Sequence, residues 1–176
     1  QAGAAGNGAK KSTQEIGLST LNKERAMEKV FFEDYQVGEL LVSPGRTITE
    51  TDIILFAGLT GDWHPIHTNV EYAKKTMFGE RIAHGMLGLS VGSALIFRLG
   101  PYVFTPKKFI AFYGIDKVRF VGPIKIGDTI RCEAKVSEMK ERDENMGTIA
   151  YEASIKNHRD EDCIVFTPKI LVGRKK

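Results

Sequence analysis

Arg81-Ile82-Ala83-His84-Gly85-Met86-Leu87-Gly88-Leu89-Ser90-Val91-Gly92-Ser93-Ala94-Leu95-Ile96-Phe97 is long and carries formal charge only at Arg81. Its length argues against a short strand and predicts a helix. Gly85, Gly88 and Gly92 fall on one side, spaced three and four apart. The other sides carry Met, Leu, Val, Ile and Phe. A helix that is apolar all round is expected to be buried all round, so the rest of the chain must wrap it. The small-residue side lets a sheet or a partner helix approach closely. The run is shorter than a membrane span needs, and strands follow it, so no membrane insertion is expected.

Downstream, Phe109 to Val121 reads as extended and is turned by Gly122-Pro123; Lys125 to Asp128 makes a second turn. Thr129 to Val136 alternates apolar and polar residues, the mark of a strand with one wet face. The charged stretch Glu138 to Glu144 reads as a solvated hairpin connection. Thr148 to Lys156 and Ile164 to Val172 supply two further strands. Upstream, Glu39 to Ser43 reads as a strand, broken by Pro44-Gly45, with Arg46 to Ile48 extended. Thr49 with Asp52 three positions on predicts a capped helix through Leu59. Pro65 predicts a bent loop over 60–68. Asn69 predicts the cap of a short helix from Val70 to about Thr76. The order implies an α+β fold, a curled antiparallel sheet around one central helix.

The 176 residues suit one domain of ordinary size. That domain is expected over 30–172. Residues 1–29 read as a flexible arm, helical from about Asn22 to Glu28, and as a tag or presequence remnant. Residues 173–176 form a basic tail without a peroxisomal address. Hydrophobic residues at 42% and charged residues at 27% fit a folded chain rather than a disordered one. A net charge of +3 is too even to imply nucleic acid. Cys132 and Cys163, without a CxxC, imply buried thiols and no disulfide framework. A cytoplasmic setting is expected, or the mitochondrial matrix if residues 1–29 follow a removed presequence.

Asp62, His64 and His67 crowd one loop beside Trp63 and Pro65. Spacing leaves three readings open: a plain polar turn, a metal site of Asp62, His64 and His67, and an acid/base dyad of Asp62 and His67. The metal reading lacks a fourth ligand and any known ligand motif. The dyad reading draws on histidine's ability to move a proton near neutral pH. It gains from His84-Gly85, where the long helix begins. Free N–H groups and the helix dipole there favour developing negative charge, and Gly85 permits close approach of a ligand.

Phe56-Ala57-Gly58-Leu59-Thr60-Gly61-Asp62-Trp63-His64-Pro65-Ile66-His67 resembles the signature loop of the MaoC-like, or hydratase 2, family of hot-dog-fold enzymes. Arg81 to Leu87 is similar to the stretch that opens the family's central helix. Val118 to Thr129 resembles its strand-and-turn block. The match covers roughly 30–172 in the family's order.

The resemblance implies a hot-dog fold and a hydro-lyase of fatty acid metabolism. Such an enzyme hydrates trans-2-enoyl-CoA to (R)-3-hydroxyacyl-CoA, or runs the dehydration in reverse. Acyl-carrier-protein dehydration and hydration of a branched, mesaconyl-type enoyl-CoA are alternatives; a non-catalytic acyl-CoA-binding subunit is a third. The catalytic Asp and His match Asp62 and His67, and the backbone oxyanion donor matches Gly85. Ser93 matches a serine that supports the active-site loop. His64 stands where Asn is common, and is expected to line the pocket, bond within the loop, or do neither. Trp63 is expected to anchor the loop in the core or to form part of the acyl wall, and His84 to order the helix start. No metal or cofactor is implied. The partners implied are an acyl thioester of coenzyme A or acyl carrier protein, and a second copy of the chain in a homodimer.

Overall fold

The structure is a computed structural model and describes residues 29–96 and 106–176. The arm up to Glu28, with its expected helix, and positions 97–105 lie outside the described residues. After a 3-10 turn at Phe32–Asp34, the elements are β1 (Leu40–Val42), β2 (Arg46–Thr47), α1 (Glu50–Thr60), α2 (Pro65–Thr68), α3 (Val70–Ala73), α4 (Gly85–Ile96), β3 (Phe109–Phe120), β4 (Thr129–Glu141), β5 (Met146–Lys156) and β6 (Asp162–Gly173).

The strands form one antiparallel sheet in the order β1-β4-β5-β6-β3, with β2 also on β4. Alternation holds along β4, where Ile130, Cys132, Ala134 and Val136 are fully buried. It fixes register, because a slip of one residue would turn this whole row to water. Helix α4 packs against the concave face, giving the expected hot-dog arrangement. Its glycines make that contact close. A Cβ on Gly88 would stand 2.5 Å from Ile124 Cδ1, and one on Gly92 would stand 2.3 Å from Ile155 Cδ1. No helix among the described residues is long and apolar enough to cross a membrane.

Burial of α4 is not complete, contrary to the sequence expectation. Leu87, Leu89, Leu95 and Ile96 are buried, but Met86, Ser90 and Ala94 form an exposed stripe. A single curled sheet covers only one side of a cylinder. The segment before Gly85 is not helical either. Ala83 N–H donates to the Ile124 carbonyl, and Ile82 bridges to Lys125, so 82–83 run beside the turn after β3. The charged hairpin is shorter than expected: β4 runs to Glu141 and β5 starts at Met146, with the charged side chains lying along wet strand ends.

The upstream helices follow their caps. Thr49 Oγ1 accepts from Asp52 N–H, and Asp52 Oδ2 accepts from Thr49 N–H at 2.8 Å, a reciprocal capping box. Arg46 anchors the same Asp52 carboxylate. Gly61 ends α1 at φ 77°, in the left-handed region that glycine tolerates. Asn69 caps α3, which stops at Ala73, short of Thr76. The 60–68 stretch differs from the bent loop expected, since Pro65 opens a helical turn, α2. Proline is preorganised for the first helical position, where its missing N–H costs nothing.

Candidate active site

Three segments converge on a cleft of about 720 Å³. The end of α1 and the turn after it bring Phe56 and Asp62, α2 brings His67, and the start of α4 brings His84 and Gly85. The end of β3 and the following turn supply the opposite wall from Phe120 to Ile124. Apart from Asp62 and the two histidines the lining is mostly apolar, and no Lys or Arg faces it.

Asp62 is exposed to the cleft. Its Oδ1 accepts from His64 N–H at 3.2 Å, and its own N–H donates to Thr60 Oγ1 at 3.3 Å. These local bonds hold the carboxylate over the turn. His67 is half-buried, and its Nδ1 lies 2.8 Å from the Ile82 carbonyl. A carbonyl only accepts, so Nδ1 carries the proton and Nε2 keeps a lone pair when the ring is neutral. Burial pushes the His67 pKa below its ordinary value, and this outweighs the opposing bond to Ile82. The nearby His84 also lowers it, and Asp62 raises it. The neutral, proton-accepting ring is therefore favoured.

His84 is 2% exposed. Its Nε2 lies 3.0 Å from the Asp62 carbonyl oxygen, and so donates to it. Its ring faces that of His67 with centroids 3.9 Å apart and planes inclined by 30°. Phe56 packs on it at 5.0 Å. His84 thus touches both the aspartate's backbone and the histidine's ring.

Gly85 opens α4. The first bond into the helix runs from Gly88 N–H to the His84 carbonyl, so the N–H groups of Gly85 to Leu87 have no acceptor within the helix. A Cβ at Gly85 would sit 2.8 Å from the Phe120 ring, so any other residue there would have to displace that ring from the wall.

The other residues singled out in the sequence are placed differently. His64 bonds within the loop: Nδ1 accepts from Ile66 N–H at 3.2 Å and caps α2. Its ring also stands edge-on to His67 and Tyr72. Trp63 is 54% exposed and outside the cleft lining, so it is neither a core anchor nor part of the wall within one chain. Ser93 lies two turns along α4, where its Oγ donates to the Ser90 carbonyl, and it is not part of the cleft lining. Phe120 to Ile124 form a wall that the site reading did not include; the Gly122-Pro123 turn was its signal.

The metal-type donor set is not the one the spacing offered. His64 Nδ1 is committed to its cap, and the cluster is Asp62, His67 and His84, with one donor atom each within 4.8 Å of one another. Two hydrogen bonds of about 2.8 Å to a shared water let their partners stand about 4.6 Å apart. A shared water between two of these donors falls within that 4.8 Å limit.

The MaoC like domain family matches residues 35–157. The (R)-specific enoyl-CoA hydratase of Rhodospirillum rubrum is 41% identical over 107 residues, covering 61% of this chain and 69% of that protein. Protein MaoC of Klebsiella aerogenes is 38% identical over 119 residues; these make up 65% of this chain but 34% of that longer relative. The structure of a monoamine oxidase regulatory protein from Archaeoglobus fulgidus superposes with a TM-score of 0.78 at 41% identity, covering 86% of this chain and 99% of that one. The chain belongs to the MaoC-like domain family of hot-dog hydratases and dehydratases. That is a family of hydro-lyases acting on acyl thioesters.

Proposed function

We propose that this chain hydrates trans-2-enoyl-CoA to (R)-3-hydroxyacyl-CoA, or runs the same reaction as a dehydration. The observation that carries this is the convergence of Asp62 and His67, with polar side-chain atoms within 4.8 Å of each other, in a cleft that also holds the free N–H end of α4. The similarity to an (R)-specific enoyl-CoA hydratase supports the choice of substrate and stereochemistry.

The thioester oxygen lies against the Gly85 N–H, where helix N-terminal donors stabilise the negative charge that develops on it. Asp62 and His67 hold one water against C3. His67 Nε2 takes a proton from that water as the C3–O bond forms. The same proton then passes to C2, so H and OH add to one face and the imidazole is regenerated. The Asp62 carboxylate orients the water and steadies the transient imidazolium.

The enzyme acts as a homodimer joined along β3 in this reading. β3 is the edge of the sheet, and an exposed edge of its length is a template for another strand. Ile110, Phe112, Tyr113 and Phe120 on it are each at least 40% exposed.

The test is a hydration assay over enoyl-CoAs of rising chain length, with chiral analysis of the product. Formation of the (R)-3-hydroxyacyl-CoA is expected. The (S) product, or no turnover with any CoA or carrier-protein thioester, overturns the reading. Sedimentation showing only monomer at micromolar concentration overturns the dimer.

A further inference from the structure

Asp128 is the one acid among the buried polar residues described, and it does not line the cleft. A carboxylate out of water is costly unless charged and hydrogen-bonding partners surround it. It closes the turn between β3 and β4. Its Oδ2 accepts from Lys125 N–H at 2.9 Å, and its own N–H donates to the Lys125 carbonyl at 3.1 Å. For that local contact an asparagine would serve as well. Its Oδ1 needs the charge. It accepts from Arg159 Nη1 at 3.1 Å and lies 3.3 Å from His158 Nδ1.

Arg159 and His158 belong to the β5–β6 hairpin, which is itself fixed. The buried Asn157 Oδ1 accepts from the N–H groups of Arg159 and Glu161, and the Glu161 carboxylate accepts from Arg159 Nε. The hairpin thus grips the turn through one carboxylate.

The gripped turn bonds to both halves of the candidate site. On one side Ile48 N–H donates to the Asp128 carbonyl and Gly127 N–H to the Ile48 carbonyl, each at 2.8 Å. Thr49, the next residue, caps α1, and Asp62 follows the far end of that helix. On the other side Ala83 N–H donates to the Ile124 carbonyl at 2.8 Å, and Ile82 bridges to Lys125. The Ile82 carbonyl accepts from His67 Nδ1, and Gly85 stands two residues beyond Ala83. We infer that Asp128 is a positioning residue: held by Arg159 and His158, its carboxylate sets the 124–128 turn and, through Ala83 and Ile82, aligns His67 with Gly85. This rests on the reading of His67 as proton acceptor and Gly85 as oxyanion donor. A turn released from the hairpin carries Ile82 with it, and misplacement by about 1 Å can slow chemistry by about 100-fold.

The test compares wild type with D128N, which keeps the shape and the Lys125 contact but removes the charge, and with H158Q/R159M, which removes the grip from the hairpin side. In each, kcat for crotonyl-CoA should fall by about 10–100-fold while KM stays within about threefold of wild type. Combining them should lower kcat no further, because both break one contact. The 15N shifts of the His67 ring supply a readout that lost stability alone would not move. The neutral wild-type ring should carry its proton on Nδ1, and in the variants the proton should shift toward Nε2 as the Ile82 bond loosens. An unchanged kcat or an unmoved tautomer in folded D128N overturns the inference, and so do losses that multiply in the combined variant. If D128N does not fold, H158Q/R159M decides by the same two readouts. If wild type does not turn over crotonyl-CoA, the proposed function fails separately and the tautomer alone decides.

Discussion

The imidazole rings of His67 and His84 face each other at 3.9 Å. The contact shields His67 from water on one side and places a second ionisable ring against it. Both effects lower the His67 pKa, burial being the larger. Replacing His84 by Ala opens that side to water and removes the neighbouring ring. The His67 pKa should then rise toward its ordinary value, and the protonated, inactive form should persist to higher pH. The acid limb of the kcat/KM–pH profile should therefore move to higher pH. An unmoved limb would show that His84 does not tune His67.

Asp62→Asn keeps shape and removes charge, whereas His67→Ala removes the proton acceptor. Each should lower kcat for crotonyl-CoA by roughly 10²–10⁴, the usual worth of a positioned acid/base group. Melting temperatures should stay near wild type, because neither side chain belongs to the buried core. Turnover close to wild type in either folded variant would remove it from the mechanism.

Gly92 and Gly58 both lie in helices but in opposite surroundings. A Cβ at Gly92 meets Ile155 at 2.3 Å, and Ile155 is fully buried, so Gly92→Ala should cost about 1–3 kcal/mol through overpacking. A Cβ at Gly58 meets nothing within 4 Å, so Gly58→Ala should stabilise by about 0.4–1 kcal/mol through the backbone alone. Chemical denaturation of the two variants should give shifts of opposite sign.

Asp34 is held at a pKa of about 2, first by Lys175 and then by the Phe31 and Val30 N–H groups. The unfolded value lies near 3.8. Its stabilising contribution is thus fully present above about pH 4 and is lost as pH falls toward 2. The melting temperature of Asp34→Asn should lie below that of wild type at pH 7, and the gap should close on acidification through this window. A constant gap would assign the loss to something other than ionisation.

Much of the fold was legible because it rests on local rules. The Thr49–Asp52 box, the Asn69 cap and the alternation of β4 each need only neighbours in sequence. The candidate site was legible in part, since Asp62 and His67 share one loop and Gly85 opens a helix marked by its composition. What the sequence withheld depends on distant pairing or on rotamers. His67 bonds to Ile82, and 82–83 lie beside Ile124, contacts that no periodicity encodes. His64 uses a ring nitrogen as a cap, a choice of side-chain angle. The exposed stripe of α4 and the outward Trp63 follow from how far one sheet can curl, which the apolar run alone does not specify.

The bond from His67 to the Ile82 carbonyl has a mechanical consequence. Ile82 lies three residues before Gly85, on a stretch pinned by Ala83 to Ile124. His67 as the proposed proton acceptor and Gly85 as the proposed oxyanion donor therefore share one short baseline. The Ile82 and Ala83 bonds tie that distance to the scaffold, and the bond from His84 Nε2 to the Asp62 carbonyl ties the Asp62 turn to the same helix start. Met77 and Val121 stand off that baseline on the open side of the cleft. In the proposed reaction, substitution at either position should change acyl preference while the spacing of His67 and Gly85 stays fixed.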